Sequence, residues 1–104
     1  LAANVKIAFG SDLYYYNPQT TRGQIAVGSY RSYKESGMTN LQILQSATMH
    51  PGILLAGEGK IGLLQNGYFA DIIASDENPL DNIRTLENVV FIMKGGDVIK
   101  NIGN

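Results

Sequence analysis

VVFIMKGGDVIK, residues 89–100, sets two β-branched and apolar runs on either side of a glycine pair. Strands favour such residues because branched and bulky side chains pack well on a pleated surface. Gly95 and Gly96 can both take positive φ, as the tightest hairpin turns require, so Lys94-Gly95-Gly96-Asp97 predicts a turn between two antiparallel strands, Val89–Met93 and Val98–Ile102. Upstream, Phe69–Ala74 has the same texture and predicts a third strand. Between them Asn78-Pro79 marks a loop over Asp76–Asp81, and Asp81-Asn82-Ile83 opens a single helical turn before Thr85.

The texture before Gly62 is helical. Ala26, Tyr30, Tyr33 and Gly37 recur at helical spacing and predict a helix over Arg22–Ser36, weakened by Gly23 and Gly28 and ended by Gly37 as a left-handed cap. Thr39-Asn40-Leu41-Gln42 fits the capping box, in which the Thr and Gln side chains satisfy each other's free amides, so a second helix starts there. Leu41, Leu44, Ala47 and Thr48 are the expected inner face. Pro51 is expected at the first position of a further short helix through Leu55, capped by Gly57. At the start of the chain Val5–Phe9 is a short apolar run closed by Gly10. It reads as a buried strand from whose end Ser11 and Asp12 emerge. Leu13–Thr21 is loop, and its Tyr14-Tyr15-Tyr16 run either covers a core edge or lines a pocket.

A length of 104 residues, 11.3 kDa and 44% hydrophobic composition suit one compact unit. Eight Lys and Arg scattered among nine Asp and Glu give a net charge of -1 and no basic stripe, which argues against nucleic-acid binding. No cysteine is present, so disulfides and thiolate metal sites are excluded and the composition fits a cytoplasmic protein. No apolar run reaches the roughly 18–20 residues that span a bilayer, which leaves no membrane partner. Leu1 stands where a starting methionine is expected, which predicts a trimmed N-terminus.

Few motifs carry chemistry. Gly57-Glu58-Gly59-Lys60-Ile61-Gly62 spells G-x-G-x-x-G, but a dinucleotide fingerprint needs a strand before it and a helix after it, and here the order is reversed. His50 is the only histidine, and beside Pro51 at a helix start it reads as structural rather than as a ligand. No His-x-His, His-Glu-x-x-His or Gly-x-Ser-x-Gly pattern occurs. Asp12 is either a turn carboxylate hydrogen-bonded to a nearby amide or a functional group, since the rim beyond a strand's C-terminal end is where barrels and open sheets keep their chemistry.

The phrases VKIAFGSD (5–12), ESGMTNLQILQSATMHPGILLAG (35–57) and GKIGLLQNGYFADIIASDENPLDNIRTLENVVFIMKGGDVIK (59–100) together resemble, in order and spacing, the C-terminal third of metal-dependent amidohydrolases. The resemblance is to their imidazolonepropionase and Xaa-Pro dipeptidase-like branch. Gly67-x-x-Ala70-Asp71, Asn78-Pro79-Leu80 and Met93-Lys94-Gly95-Gly96 carry it jointly. It implies an α+β fold in which residues 1–57 hold the last strand and helices of a (β/α)8 barrel. Residues 58–104 then supply C-terminal strands of a small β-sandwich. Asp12 takes the position of the family's strand-eight aspartate, a ligand of zinc or a similar divalent metal that also relays a proton to the leaving amine. The family draws its other ligands, histidines above all, from upstream segments. Two departures stand out: Leu13 and three tyrosines follow Asp12 where the family has a small residue, and His50-Pro51-Gly52 replaces its asparagine-alanine pattern.

What the resemblance implies for the parent enzyme is hydrolysis of a C–N bond in a small-molecule amide, dipeptide or cyclic amide. The isolated chain is expected to be inactive and to hold no metal by itself. Its unpaired strand edges are expected to drive homo-oligomerisation, strand swapping, or repacking of Val5–Phe9 on its own β region. Its other natural partner is the missing N-terminal barrel segment. Two alternatives remain open: a free-standing α+β interaction or structural module without catalysis, and a split enzyme whose first strands come from a separate polypeptide.

Overall fold

The computed structural model describes residues 4–12, 17–56 and 60–103. Three helices come first, α1 (Arg22–Glu35), α2 (Asn40–Ala47) and α3 (Met49–Ala56). A three-stranded antiparallel sheet follows, β1 (Ile72–Ser75), β2 (Val89–Lys94) and β3 (Asp97–Asn101) in that spatial order, with a 3-10 turn, Ile83–Glu87, between β1 and β2. The chain is therefore α+β.

Capping decides where the helices begin. Gln42 N–H donates to Thr39 Oγ1 at 3.1 Å while Thr39 N–H donates to Gln42 Oε1 at 2.9 Å, the reciprocal box expected from the sequence. An equivalent box starts α1: Gln24 N–H reaches Thr21 Oγ1 at 3.1 Å and Thr21 N–H reaches Gln24 Oε1 at 2.7 Å. That box lay open in Thr21-Arg22-Gly23-Gln24 and offsets the weakness of Gly23. Gly37, at φ 99°, ends α1, with Gly37 N–H on the Lys34 carbonyl at 3.0 Å and Met38 N–H on the Tyr33 carbonyl at 3.2 Å. These paired bonds satisfy carbonyls the helix leaves free and turn the chain into α2.

The buried face of α2 is not the expected one. Ile43 and Ser46 are buried, whereas Leu41 and Thr48 are exposed and Leu44 packs at the edge of the core. Apolar residues at 41, 43, 44 and 47 permit two faces of so short a helix, and Met38 with the 3-10 turn selects the one bearing Ile43. Met38, Ile43, Ile83 and Leu86 form the buried cluster, joined by Ile7, Val27, Tyr30, Tyr33 and Leu44. It draws on both halves of the chain. Pro51 sits third in α3 rather than first, still within the turn whose amides have no helical acceptor.

Gly95 and Gly96, at φ 58° and 91°, form the expected hairpin turn between β2 and β3. β1 begins at Ile72, three residues later than the apolar run suggests, because the preceding segment is engaged by that turn. Gly96 N–H donates to the Ala70 carbonyl at 3.1 Å, and Asp71 accepts from Gly95 N–H at 2.9 Å and from Lys94 Nζ at 3.2 Å. The Gly95 amide first, then Lys94, holds the Asp71 carboxyl below its ordinary range. A depressed folded-state pKa stabilises the fold above the unfolded value and is lost as pH falls through the folded one. Asp71→Asn should therefore flatten the fall in melting temperature below about pH 4, while wild type and variant converge as Asp71 is protonated. A pH series of thermal melts checks this.

The Val5–Phe9 segment is extended but pairs with no strand among the described residues. Strand assignment needs a neighbour's amides and carbonyls, and here the segment meets helices instead. It packs on α1 and α2 rather than on the β region, with Ile7 at the helical core and the Phe9 ring edge-on to Tyr30 and Tyr33 at 5.1 and 5.6 Å. Val5 stays 61% exposed.

Candidate functional site

The segment that ends at Asp12 is held at two points. Phe9 N–H donates to the Ser46 carbonyl at 2.7 Å, and the Ile7 carbonyl lies 2.9 Å from His50 Nδ1. Ser46 is buried, with its hydroxyl turned inward onto the Ile43 carbonyl at 2.6 Å, so its own carbonyl is fixed by α2. Beyond Phe9 the chain leaves the helices through Gly10 and Ser11 to Asp12, which takes φ 47°. Aspartate is among the few non-glycine residues that tolerate this left-handed conformation. The Asp12 side chain is exposed and makes no hydrogen bond or ion pair among the described residues. It is a carboxylate presented at the end of a tethered segment, with its lone pairs available.

Ion pairs among the described residues join Lys94 to Asp71 and two arginines to Glu87. Arg31 and Arg84 both bind Glu87, each with a guanidinium Nε at 3.2 Å, and the Arg31 hydrogen bond is the chief reason the Glu87 carboxyl lies below its usual range. Such exposed pairs contribute little to stability. An open hollow beside them, lined by Glu77, Asn82, Arg84 and Glu87, has its Asn82 amide spent on Glu77 at 2.8 Å. A second cleft of about 240 Å³ lies among Ile7, Met38, Gln42, Gln45 and His50. Neither includes Asp12. Tyr30 is half-buried, and burial, with Tyr33 beside it, pushes its phenol up, so it remains neutral.

Among the described residues no three His, Cys, Asp or Glu side chains gather where one ion could bind them all. Asp12 has the donor chemistry of a ligand for a hard or borderline divalent cation, but the described residues gather no three-ligand set around it. His50 engages the Ile7 carbonyl through Nδ1, and no group of three ligands gathers around its ring among the described residues. Gly62, at φ 94°, presses against the start of α3, and no helix follows it, so the glycine pattern here serves a close backbone crossing. Tyr14-Tyr15-Tyr16 and Gly57–Gly59 lie outside the described residues. No described helix is long and apolar enough to cross a membrane.

The sequence profile of the amidohydrolase family matches residues 1–102. This chain belongs to the amidohydrolase family. Both Asp12 and His50 lie within the matched range. Ochratoxinase from Aspergillus niger is 33% identical over 107 residues, covering 99% of this chain and 21% of the enzyme. The amidohydrolase chain thus spans about a fifth of the length of the curated relative it matches. Among solved structures, a Xaa-Pro dipeptidase with methionine bound in its active site superposes with a TM-score of 0.82 at 35% identity, covering 96% of this chain and 23% of that one. A prolidase complexed with N-methylphosphonate-L-proline gives 0.75 at 28% identity, over 96% of this chain and 24% of its own.

Sequence reasoning singled out Asp12 but read the run before it as a buried strand, whereas that run is extended against helices with Val5 61% exposed. It missed Ser46 altogether. A serine inside an apolar helix face carries no sequence signal of which strand its backbone carbonyl will meet.

Proposed function

We propose that this chain is the C-terminal part of a metal-dependent amidohydrolase that hydrolyses C–N bonds in small amides, dipeptides or cyclic amides. Residues 1–57 complete a (β/α)8 barrel and residues 58–104 contribute strands to a β-sandwich. The observation that carries this reading is Asp12, an exposed carboxylate at φ 47° with no partner among the described residues, beyond an extended segment in a chain matched along its length by the family. Zinc or a similar divalent ion, when bound by Asp12 together with histidines from the rest of the protein, lowers the pKa of water enough to make a nucleophile at neutral pH. Asp12 itself accepts a proton and hands it to the departing nitrogen, a step its free lone pairs permit.

The surface supports a larger body. The accessible area is 7573 Å², against roughly 5,700 Å² for a monomer of this mass. Leu54, Leu55, Leu64 and Ile99 are 71%, 78%, 77% and 65% exposed. An excess of this size matches what an extensive interface covers. In the parent enzyme the barrel segment covers it, and in the isolated chain a second copy does.

The test is to express the full-length protein and this chain separately and assay both on Xaa-Pro dipeptides, N-acyl amino acids and cyclic amides with added zinc. Hydrolysis by the full-length protein, with none by the self-associated chain, is the expected result. Equal activity in both, or none in the zinc-loaded full-length protein against any of the three classes, contradicts the reading.

A further inference from the structure

We propose that His50 is a positioning residue for Asp12, acting through a hydrogen bond from its Nδ1–H to the Ile7 carbonyl. The inference rests on the reading of Asp12 given above. A carbonyl oxygen can only accept, so the 2.9 Å contact requires the proton on Nδ1. His50 is the second residue of α3, and the start of that helix is itself fixed. Gly52 and Gly62 cross there, backbone against backbone, so closely that Gly52 has no room for a side chain. Pro51 adds a locked φ. The imidazole thus projects from one of the more constrained points in the chain toward the segment that carries Asp12.

The geometry makes this contact more than a packing detail. Ile7–Phe9 pairs with no strand among the described residues, and neighbouring barrel strands would set its register within a sheet without setting its place against the helices. Its polar ties to the helical layer are the Phe9 amide on the Ser46 carbonyl and the Ile7 carbonyl on His50. The first is backbone to backbone and supplies one point. The second supplies another two residues earlier, and two points set direction as well as position. Removing it leaves Phe9 as the one backbone tie described between the segment and the helices, and displacement on the scale of 1 Å at a reacting group is enough to cost large factors in rate. His50 itself touches no substrate in this account.

The test uses the full-length protein with His50→Ala, His50→Asn and Asp12→Asn, assayed on whichever of the three substrate classes it cleaves. Asparagine can offer an amide N–H at nearly the reach of Nδ1. His50→Ala should lower kcat by about 10–100-fold, the range seen when a group orienting a metal ligand is lost, with KM little changed. Amide exchange across Ala8–Asp12 should quicken several-fold. His50→Asn should recover most of kcat and restore slow exchange, which a loss of general packing would not allow. Should the alanine variant fail to fold, the asparagine variant decides: retained kcat with slow exchange supports the proposal, and lost kcat with slow exchange overturns it. Unchanged exchange in His50→Ala, or wild-type kcat beside an inactive Asp12→Asn, overturns the role of His50 alone. Wild-type kcat in Asp12→Asn overturns the reading of Asp12 and the positioning role with it, whatever exchange shows of the tether.

Discussion

Gly62→Ala should destabilise the protein by about 3 kcal/mol, from two costs that add. Gly62 holds φ 94°, where an L side chain is strained by roughly 1–2 kcal/mol. A Cβ there would lie 3.1 Å from the Thr48 carbonyl carbon and closer still to its oxygen. That obstacle is helix-terminal backbone, which cannot swing aside as a flexible side chain can, and overpacking of this kind costs about 1–3 kcal/mol. Gly67→Ala separates the two terms. Gly67 has φ 87° but nothing within 4 Å of its missing Cβ, so alanine there should show the dihedral cost alone. Gly28→Ala, on an open side of α1, should stabilise by about 0.5–1 kcal/mol. For a domain of this size each kcal/mol moves the melting temperature by roughly 4–8 °C, so thermal denaturation of the three variants resolves the order. Equal losses at Gly62 and Gly67 would show that the crossing with α3 is looser than described.

The largest effect on activity is expected at Asp12. Asp12→Asn in the full-length enzyme should lower kcat by about a thousandfold, within the range that positioned acid–base groups supply, because an amide cannot take up the proton. Stability should hardly move. The side chain is exposed and makes no hydrogen bond or ion pair among the described residues, and asparagine occupies the left-handed region at least as readily as aspartate. A variant that folds as wild type, melts as wild type and does not turn over assigns the loss to chemistry. Loss of activity together with loss of the fold would make Asp12 a structural residue.

What could be read in advance follows the range of the interactions involved. Local chemistry was legible: Gly95 and Gly96 specify their own turn, Gly37 its own left-handed cap, and Thr39 and Gln42 lie three residues apart and need no other part of the chain to find each other. Contacts set by distant parts were not. Whether α2 buries Leu41 or Ile43 depends on where Met38, Ile83 and Leu86 sit, and the delayed start of β1 depends on Asp71 finding an amide of Gly95. The candidacy of Asp12, which the proposal above takes up, was legible from the end of an apolar run and a family pattern in order and spacing. Its supports were not, since Ser46 acts through its backbone and His50 through a carbonyl 43 residues away. The same limit applies to Val5–Phe9, whose composition announces a strand while no described residue pairs with it as one.

The account turns on whether Asp12 is a metal ligand. The most direct measurement is a crystal structure of the full-length protein grown with zinc, with anomalous data at the zinc edge to locate the ion. The account predicts zinc with a carboxylate oxygen of Asp12 about 2.0–2.2 Å away and histidines from outside this chain completing the sphere. An ion bound elsewhere, with the Asp12 carboxylate turned to solvent, would contradict it.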